Sequence, residues 1–536
     1  MIPAPTGARR ALLPANAARL AIIESILLAA AAASVVFALQ WRYGFILSDE
    51  GWLWYISQRV YLGQVPVRDI FSYDPGRYYW SAAIFKLLGG DGLFEQLVAN
   101  YLFGIIGLSA AYLAMARIGI RRGWRLGILI LLAFVLGYPR HKVYEQALSL
   151  ISAAGITFVL AAPEKPKRWF LYGIATGLAA FIGRNSGLYF AVAGTLAFLF
   201  LKITRTRIDT LRTFGSFSGG IALGYSPIFF MLISIRGFGP AFLSSVLLTP
   251  RWSWPLPIPF PWHSHTRGVH GLDLTQVRAI AWLCVAVPVS YAITVWKSIR
   301  IRPSGPQILA LGASLAGIPY LHHAFYHADF GHIAQGVVAF VLVAGAVCSV
   351  LWTGGKRRWS LACFAATSLL IVLAWLPMEP RFLYWRMGWN APGSIAEVKI
   401  SGKSFKVPIE QARLMNTVQA AFRACGGGDG SFFEAPYYPG LYAFLGTRSP
   451  TWDVYFLWPR DEQRQQEEIR TLEQNRTSLI LMNRQVSYNR PVWLAIGTTN
   501  PLLTKYILDH YPRVPSSLPE DFEVEVLPGS CGLSAK

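Results

Sequence analysis

The sequence predicts an α-helical polytopic membrane protein of about eleven spans, followed by a small α/β domain on the extracytoplasmic side. Three observations predict it. Of 536 residues, 54% are hydrophobic and only 14% are charged, against about 25% charged in a soluble domain. The mean hydropathy is +0.38. Long apolar runs alternate with short basic loops, as bilayer-spanning chains require.

The spans are expected near 20–40, 93–116, 126–138, 146–162, 169–183, 187–201, 214–234, 279–296, 307–321, 333–352 and 359–377. Several are short for a spanning helix, so tilted or re-entrant segments are among them. The small-residue stretch Ala29–Ser34 resembles a signal cleavage site. The apolar run continues past it to Trp41, so an uncleaved anchor is expected.

The basic residues set the orientation. Arg9, Arg10 and Arg19 precede the first span. Every second loop after it carries a cluster: Arg117 to Arg125, Lys165 to Arg168, Lys202 to Arg212, Lys297 to Arg302 and Lys356 to Arg358. Those loops and the N-terminus belong in the cytoplasm. The clustering accounts for the net charge of +21 without a nucleic-acid partner, because no basic-aromatic module accompanies it. The alternate loops, 41–92, 139–145, 184–186, 235–278 and 322–332, are then outside. Residues 1–377 form the membrane domain and 378–536 a soluble extracytoplasmic domain.

The outer loops are rich in Trp, Tyr, Pro, His and carboxylates. Tyr78–Leu88 reads as an amphipathic helix lying in the membrane surface. The prolines of PRWSWPLPIPFPWHSH forbid regular helix there. In the tail, 461–476 reads as an exposed charged helix, and 477–482 and 522–527 as strands. Cys284, Cys348 and Cys363 are read as small core residues. Cys425 and Cys531 either pair as one disulfide, if the tail lies outside, or stay free.

Asp49-Glu50, directly after the first span, is the most informative pair. Adjacent carboxylates disfavour joint ionisation unless a cation compensates. They are the candidate catalytic residues, as a general base with a positioning or metal-binding neighbour; a solvated helix end is the bland alternative. Asp69 follows Arg68 and reads as half of an ion pair. Asp74-Pro75-Gly76 reads as a turn, with Asp74 kept as a candidate substrate contact.

Asp49-Glu50-Gly51, the aromatic stretch after it, Gly63-Gln64-Val65-Pro66-Val67-Arg68-Asp69 and Tyr73-Asp74-Pro75-Gly76 resemble the first outer loop of bacterial GT-C glycosyltransferases. They are similar to the protein-mannosyltransferase and aminoarabinose-transferase group. That family often has Pro-Pro-Gly where this chain has Asp74-Pro75-Gly76, which leaves any shared role for Asp74 open. The resemblance implies a GT-C-like bundle, an Asp or Asp-Glu base in the first outer loop, and a polyprenyl-phosphate sugar as donor. It also implies a bacterial inner-membrane location.

A lipid-phosphate leaving group needs fixed cations. Arg184, Arg140 and His141 are the candidates, against the alternative of headgroup contact by interfacial side chains. Four of the nine histidines lie between His322 and His332. His327, Asp329 and His332 are candidate substrate contacts; their spacing matches no zinc signature, so the metal assignment stays unknown. A divalent cation is the one cofactor the residue types admit.

The expected reaction is an inverting transfer. Asp49 accepts the proton of an acceptor hydroxyl, whose oxygen attacks the anomeric carbon opposite the phosphate. The acceptor is an envelope lipid, glycan or protein. The other readings are a flippase for lipid-linked sugars and a non-catalytic assembly protein. A flippase needs ionisable residues buried within spans, for which Glu24 and Glu95 are the candidates. No GxxxxGK[ST], Asp-x-Asp, HExxH or GxSxG motif occurs, which removes support for ATP-driven transport, nucleotide-sugar donors and hydrolases.

Overall fold

The computed structural model describes residues 15–252, 269–326, 330–483, 495–516, 518 and 522–531. The first apolar run forms α1 (Ala15–Gln40). Only 17% of its apolar window is buried against the rest of the chain, so α1 lies at the rim and presents its side chains to lipid. Two short helices, α2 (Asp49–Tyr61) and α3 (Gly76–Leu88), fill the first loop. The bundle continues with α4 (Leu93–Arg117), α5 (Arg122–Leu136), α6 (Val143–Ala161), α7 (Pro166–Ile182) and α8 (Arg184–Ile203). Then come α9 (Thr210–Gly224), α10 (Ser226–Ser234), α11 (Phe238–Trp252), α12 (Gly271–Arg300), α13 (Pro306–Tyr326), α14 (Phe330–Thr353) and α15 (Arg357–Trp375). The central helix is α14, with 89% of its apolar window buried.

The chain is a multi-pass membrane protein. Among the described residues, eight helices are long and apolar enough to cross a membrane, or nine if α9 and α10 form one span bent by 46°. The expected eleven differs at identifiable places. α5 and α7 have 15 and 17 residues, about 22 and 25 Å at 1.5 Å per residue, short of a hydrocarbon core of about 30 Å. The span expected at 214–234 is broken before Pro227, which has no amide proton to continue α9. Loop 235–278 is less irregular than its prolines suggest: α11 runs to Trp252, and residues 253–268 lie outside the described residues.

α7 packs on α9 through glycines. A Cβ on Gly220 would overlap the carbonyl of Phe170, and one on Gly224 that of Ile174. Small residues allow this backbone contact where lipid supplies no hydrophobic drive. At one end of the bundle Trp124 meets Trp352, with ring centroids 5.7 Å apart, which sets two of the basic loops side by side. The opposite end carries the C-terminal domain.

That domain begins after α16 (Pro380–Asn390) with a hairpin, β1 (Ile395–Ile400) and β2 (Lys403–Pro408), and then α17 (Ile409–Ala424). A four-stranded sheet follows in the order β3-β4-β6-β5, where β3 is Phe432–Ala435, β4 Leu479–Asn483, β5 Arg513–Val514 and β6 Phe522–Val526. β3 and β4 are parallel, with Phe432 opposite Leu479. β4 and β6 are antiparallel, and the run Leu479–Met482 is buried on both faces, as a central strand of a covered sheet requires. The charged segment forms α19 (Glu462–Gln474), between α18 (Gly440–Leu445) and β4. Cys425 and Cys531 are joined as a disulfide.

The two parts share one core. A continuous apolar cluster runs from Leu148 and Phe190 in the bundle, through Trp54 and Tyr55 of α2, to Leu441, Val454 and Leu479 in the domain. Its tightest point is a pair of glycines. A Cβ on Gly51 would sit 2.6 Å from the Cα of Gly440, and the Gly440 amide donates to the Leu47 carbonyl at 3.0 Å. α2 therefore meets the start of α18 backbone to backbone.

Candidate active site

The site starts at the first turn of α2, where Asp49 and Glu50 stand side by side. Free amides and the helix dipole favour negative charge at this position. The two carboxylates have opposite surroundings. Glu50 is 3% exposed. Its oxygens accept from Arg140 Nε at 2.8 Å, Arg140 Nη2 at 3.0 Å and the Ile46 amide at 2.8 Å. Arg140 also donates to the carbonyls of Tyr43 and Gly44. Its guanidinium thus holds the loop and Glu50, a buried ion pair of the hydrogen-bonded kind.

Asp49 is open: its side chain is 42% exposed. One oxygen accepts from the Tyr455 hydroxyl at 3.0 Å, and the other lies 3.9 Å from His141 Nε2. Tyr455 belongs to the C-terminal domain. Its ring stacks on Trp52 at 4.8 Å, and Trp52 in turn meets Tyr73 at 4.6 Å. The Gly51–Gly440 contact is what brings these two surfaces close enough for that hydrogen bond.

A second group lies at the start of α8. Asp74 accepts from the Arg184 amide at 2.7 Å and from Arg184 Nε at 2.8 Å, so it caps the helix and pairs with its first side chain. Arg184 Nη2 donates to Ser245 of α11 at 3.1 Å. One turn on, Arg77 pairs with Glu145 at 2.9 Å and donates to the Ile182 carbonyl at 3.0 Å. The Arg77 guanidinium lies over the Tyr73 ring at 5.4 Å. Asp69, by contrast, belongs to a local loop lock. Burial raises its carboxyl, but the Arg68 hydrogen bonds and the Val65 amide outweigh that and leave it below the usual range.

A third group comes from α13 and α14. His322 Nδ1 lies 3.3 Å from the Tyr189 hydroxyl, and the His323 ring lies 5.9 Å from that of His332. Lys142 and Glu145 are within electrostatic range of His323. Lys142, Asp49, Arg77 and Glu145 are all within that range of Tyr73. The three groups are therefore one polar region at the domain-bearing end, joined through Lys142 and Glu145.

Of the residues singled out from sequence, the structure brings Asp49, Glu50, Arg140, His141, Asp74, Arg184 and His332 into this region. His327 and Asp329 lie outside the described residues. Among the described residues no three His, Cys, Asp or Glu side chains converge on a metal position. Sequence reading missed Tyr455, Arg77, Glu145 and Tyr189. Arg77 directly follows the Asp74-Pro75-Gly76 turn, and Glu145 stands one helical turn after the Pro139–Lys142 cluster; both positions were available signals. Nothing local marks Tyr455.

No family model matches the chain, and no curated protein sequence matches it. Solved structures do. ArnT from Cupriavidus metallidurans bound to undecaprenyl phosphate superposes with a TM-score of 0.55 at 12% identity, covering 97% of this chain and 100% of that one. The apo state of the same protein gives 0.52 at 13%, with the same coverage. An Archaeoglobus fulgidus oligosaccharyltransferase tethered to an acceptor peptide gives 0.47 at 12%, covering 97% of this chain and 74% of that one. The chain therefore shares its fold with this ArnT over nearly its whole length. On this fold the acidic pair after the first span is divided: Glu50 is locked to Arg140 and Asp49 is open to solvent.

Proposed function

We propose that the chain is a membrane glycosyltransferase. It moves a sugar from a polyprenyl-phosphate donor to an envelope lipid, glycan or protein acceptor at the outer membrane face, with inversion. The observation that carries this reading is the division of the Asp49–Glu50 pair. One carboxylate is buried and neutralised by Arg140, while its neighbour is half-open and aimed by a tyrosine. A single displacement needs one such base. The GT-C fold, shared with a protein solved with undecaprenyl phosphate, supports the donor class.

In the proposed step Asp49 takes the proton of the acceptor hydroxyl. The acceptor oxygen forms a bond to the anomeric carbon as the bond from that carbon to the phosphate oxygen breaks. The phosphate leaves with the electron pair. Arg184 is the proposed cation for it: Asp74 and Ser245 fix Nε and Nη2, the side chain is 32% exposed, and it stands at the N-terminus of α8, which favours an anion. Lys142 adds positive charge to the same region, and the His141 imidazole stands 3.9 Å from Asp49. Glu50 and Arg140 act as positioning groups that hold the first turn of α2.

The two ionisable residues singled out for a flippase lie toward the ends of their spans. Glu24 pairs with Arg122 and Arg125, and Glu95 stands in the first turn of α4. The test is mass spectrometry of cell-envelope glycolipids and glycans with and without the protein, followed by complementation with Asp49→Asn. A sugar modification lost with the protein and not restored by the variant supports the reading. Unchanged envelope glycans, or full restoration by the variant, refute it.

A further inference from the structure

A groove of about 900 Å³ opens beside α16, away from Asp49 and Arg184. One wall is α16 and the other the β1–β2 hairpin, with Tyr43 also in the lining. The walls are fixed. Glu379 accepts the amides of Arg381 and Phe382 and caps α16. Arg386 pairs with Asp273 of α12 at 2.8 Å. The groove therefore lies where the last span ends and the C-terminal domain begins, the level of lipid headgroups.

Its lining is chemically specific. Arg381 is exposed and Lys406 half-buried; Lys406 stands opposite Glu397 in the β1–β2 hairpin and lies over the Tyr43 ring at 5.5 Å. Glu397 supplies a carboxylate to the same space. Trp385 and Trp389 stand beside it, 59% and 76% exposed, in the role of interfacial aromatic anchors. Glu379 also lines the groove, but its oxygens are taken up by the α16 amides; the two cations then suit a phosphodiester, Glu397 suits hydroxyl donors, and the tryptophans suit the glycerol and upper acyl region.

We infer that this groove binds the headgroup of an anionic, hydroxyl-bearing membrane phospholipid, as a site separate from the reaction centre. Its inner wall is Tyr384, whose hydroxyl packs on Gly44 and lies in the field of Arg140 and Glu50. A bound headgroup would thus rest one layer of atoms from the ion pair that holds α2.

The test uses the full chain purified in detergent, with phosphatidylglycerol as probe and bound lipid counted by native mass spectrometry. Wild type is expected to retain phosphatidylglycerol over phosphatidylcholine. Arg381→Gln with Lys406→Gln should weaken retention about 30-fold, the equivalent of about 2 kcal/mol for two interfacial cations. Arg381→Glu alone should weaken it with an unchanged melting temperature, which separates binding from folding. Equal retention by the variants overturns the inference. So does displacement by inorganic phosphate, which would make this a free-anion site. Displacement by undecaprenyl phosphate at equal concentration also overturns it, and would assign the groove to the donor.

Discussion

Tyr455 reaches across 406 residues of sequence to donate a 3.0 Å hydrogen bond to Asp49. The open carboxylate of the membrane part is thus oriented by a hydroxyl of the C-terminal domain. Tyr455→Phe is expected to lower kcat about tenfold, the value of one hydrogen bond to a charged group. Losing a donor to the ionised carboxylate also moves the acid limb of the pH–rate profile to higher pH. A purely structural tyrosine would change the melting temperature and leave that limb in place.

Asp49→Asn keeps the Tyr455 contact and removes the base. Transfer should fall by about 10²- to 10⁴-fold, with yield and gel-filtration behaviour unchanged. Turnover in proteoliposomes at the wild-type rate would exclude Asp49 as the base.

Arg140→Met leaves Glu50 buried and ionised without its partner. Removing one member of a buried pair costs about 3–5 kcal/mol, so the variant should melt well below wild type. Adding Glu50→Leu removes the orphaned charge and should recover much of the loss. A double variant no more stable than Arg140→Met would mean that the pair's hydrogen bonds to the Ile46 amide and to the Tyr43 and Gly44 carbonyls dominate.

Glu434 gives the C-terminal domain a pH dependence. It is wholly buried in β3, and burial pushes its carboxyl up to about 8 despite the hydrogen bond from the Tyr438 amide. The folded chain keeps a proton that an unfolded chain releases near 4.5. The associated stability is complete below that value and is lost as the pH rises through about 8. Glu434→Gln should flatten the pH dependence of thermal stability by about 1.4 kcal/mol per pH unit across this window. Parallel wild-type and variant curves between pH 5 and pH 8 would contradict it.

The bundle was legible because hydropathy and basic loops are local signals. α19 was legible for the same reason, since its charge and period sit in the segment itself, and α3 was legible as a helix. Span number was not, because α5 and α7 are apolar yet only 15 and 17 residues long, and one expected span is broken between α9 and α10. In the site, Asp49-Glu50 was visible as a pair, but adjacency does not reveal that one carboxylate points inward to Arg140 and the other outward to His141. Asp74 looked like a turn residue and is also the partner of Arg184. Tyr455 was invisible, since its role arises only when two glycines, Gly51 and Gly440, let two distant backbones touch.

That glycine contact makes the C-terminal domain a component rather than an accessory. A chain cut after the last span would keep its topology and its carboxylates, yet lose the hydroxyl that aims one of them. Grafting the C-terminal domain of another protein of this fold onto this bundle would fail for the same reason, unless the graft also brought a residue without a side chain to the place of Gly440. Substrate preference, if it resides in that domain, cannot be exchanged as a cassette. It has to be altered in place.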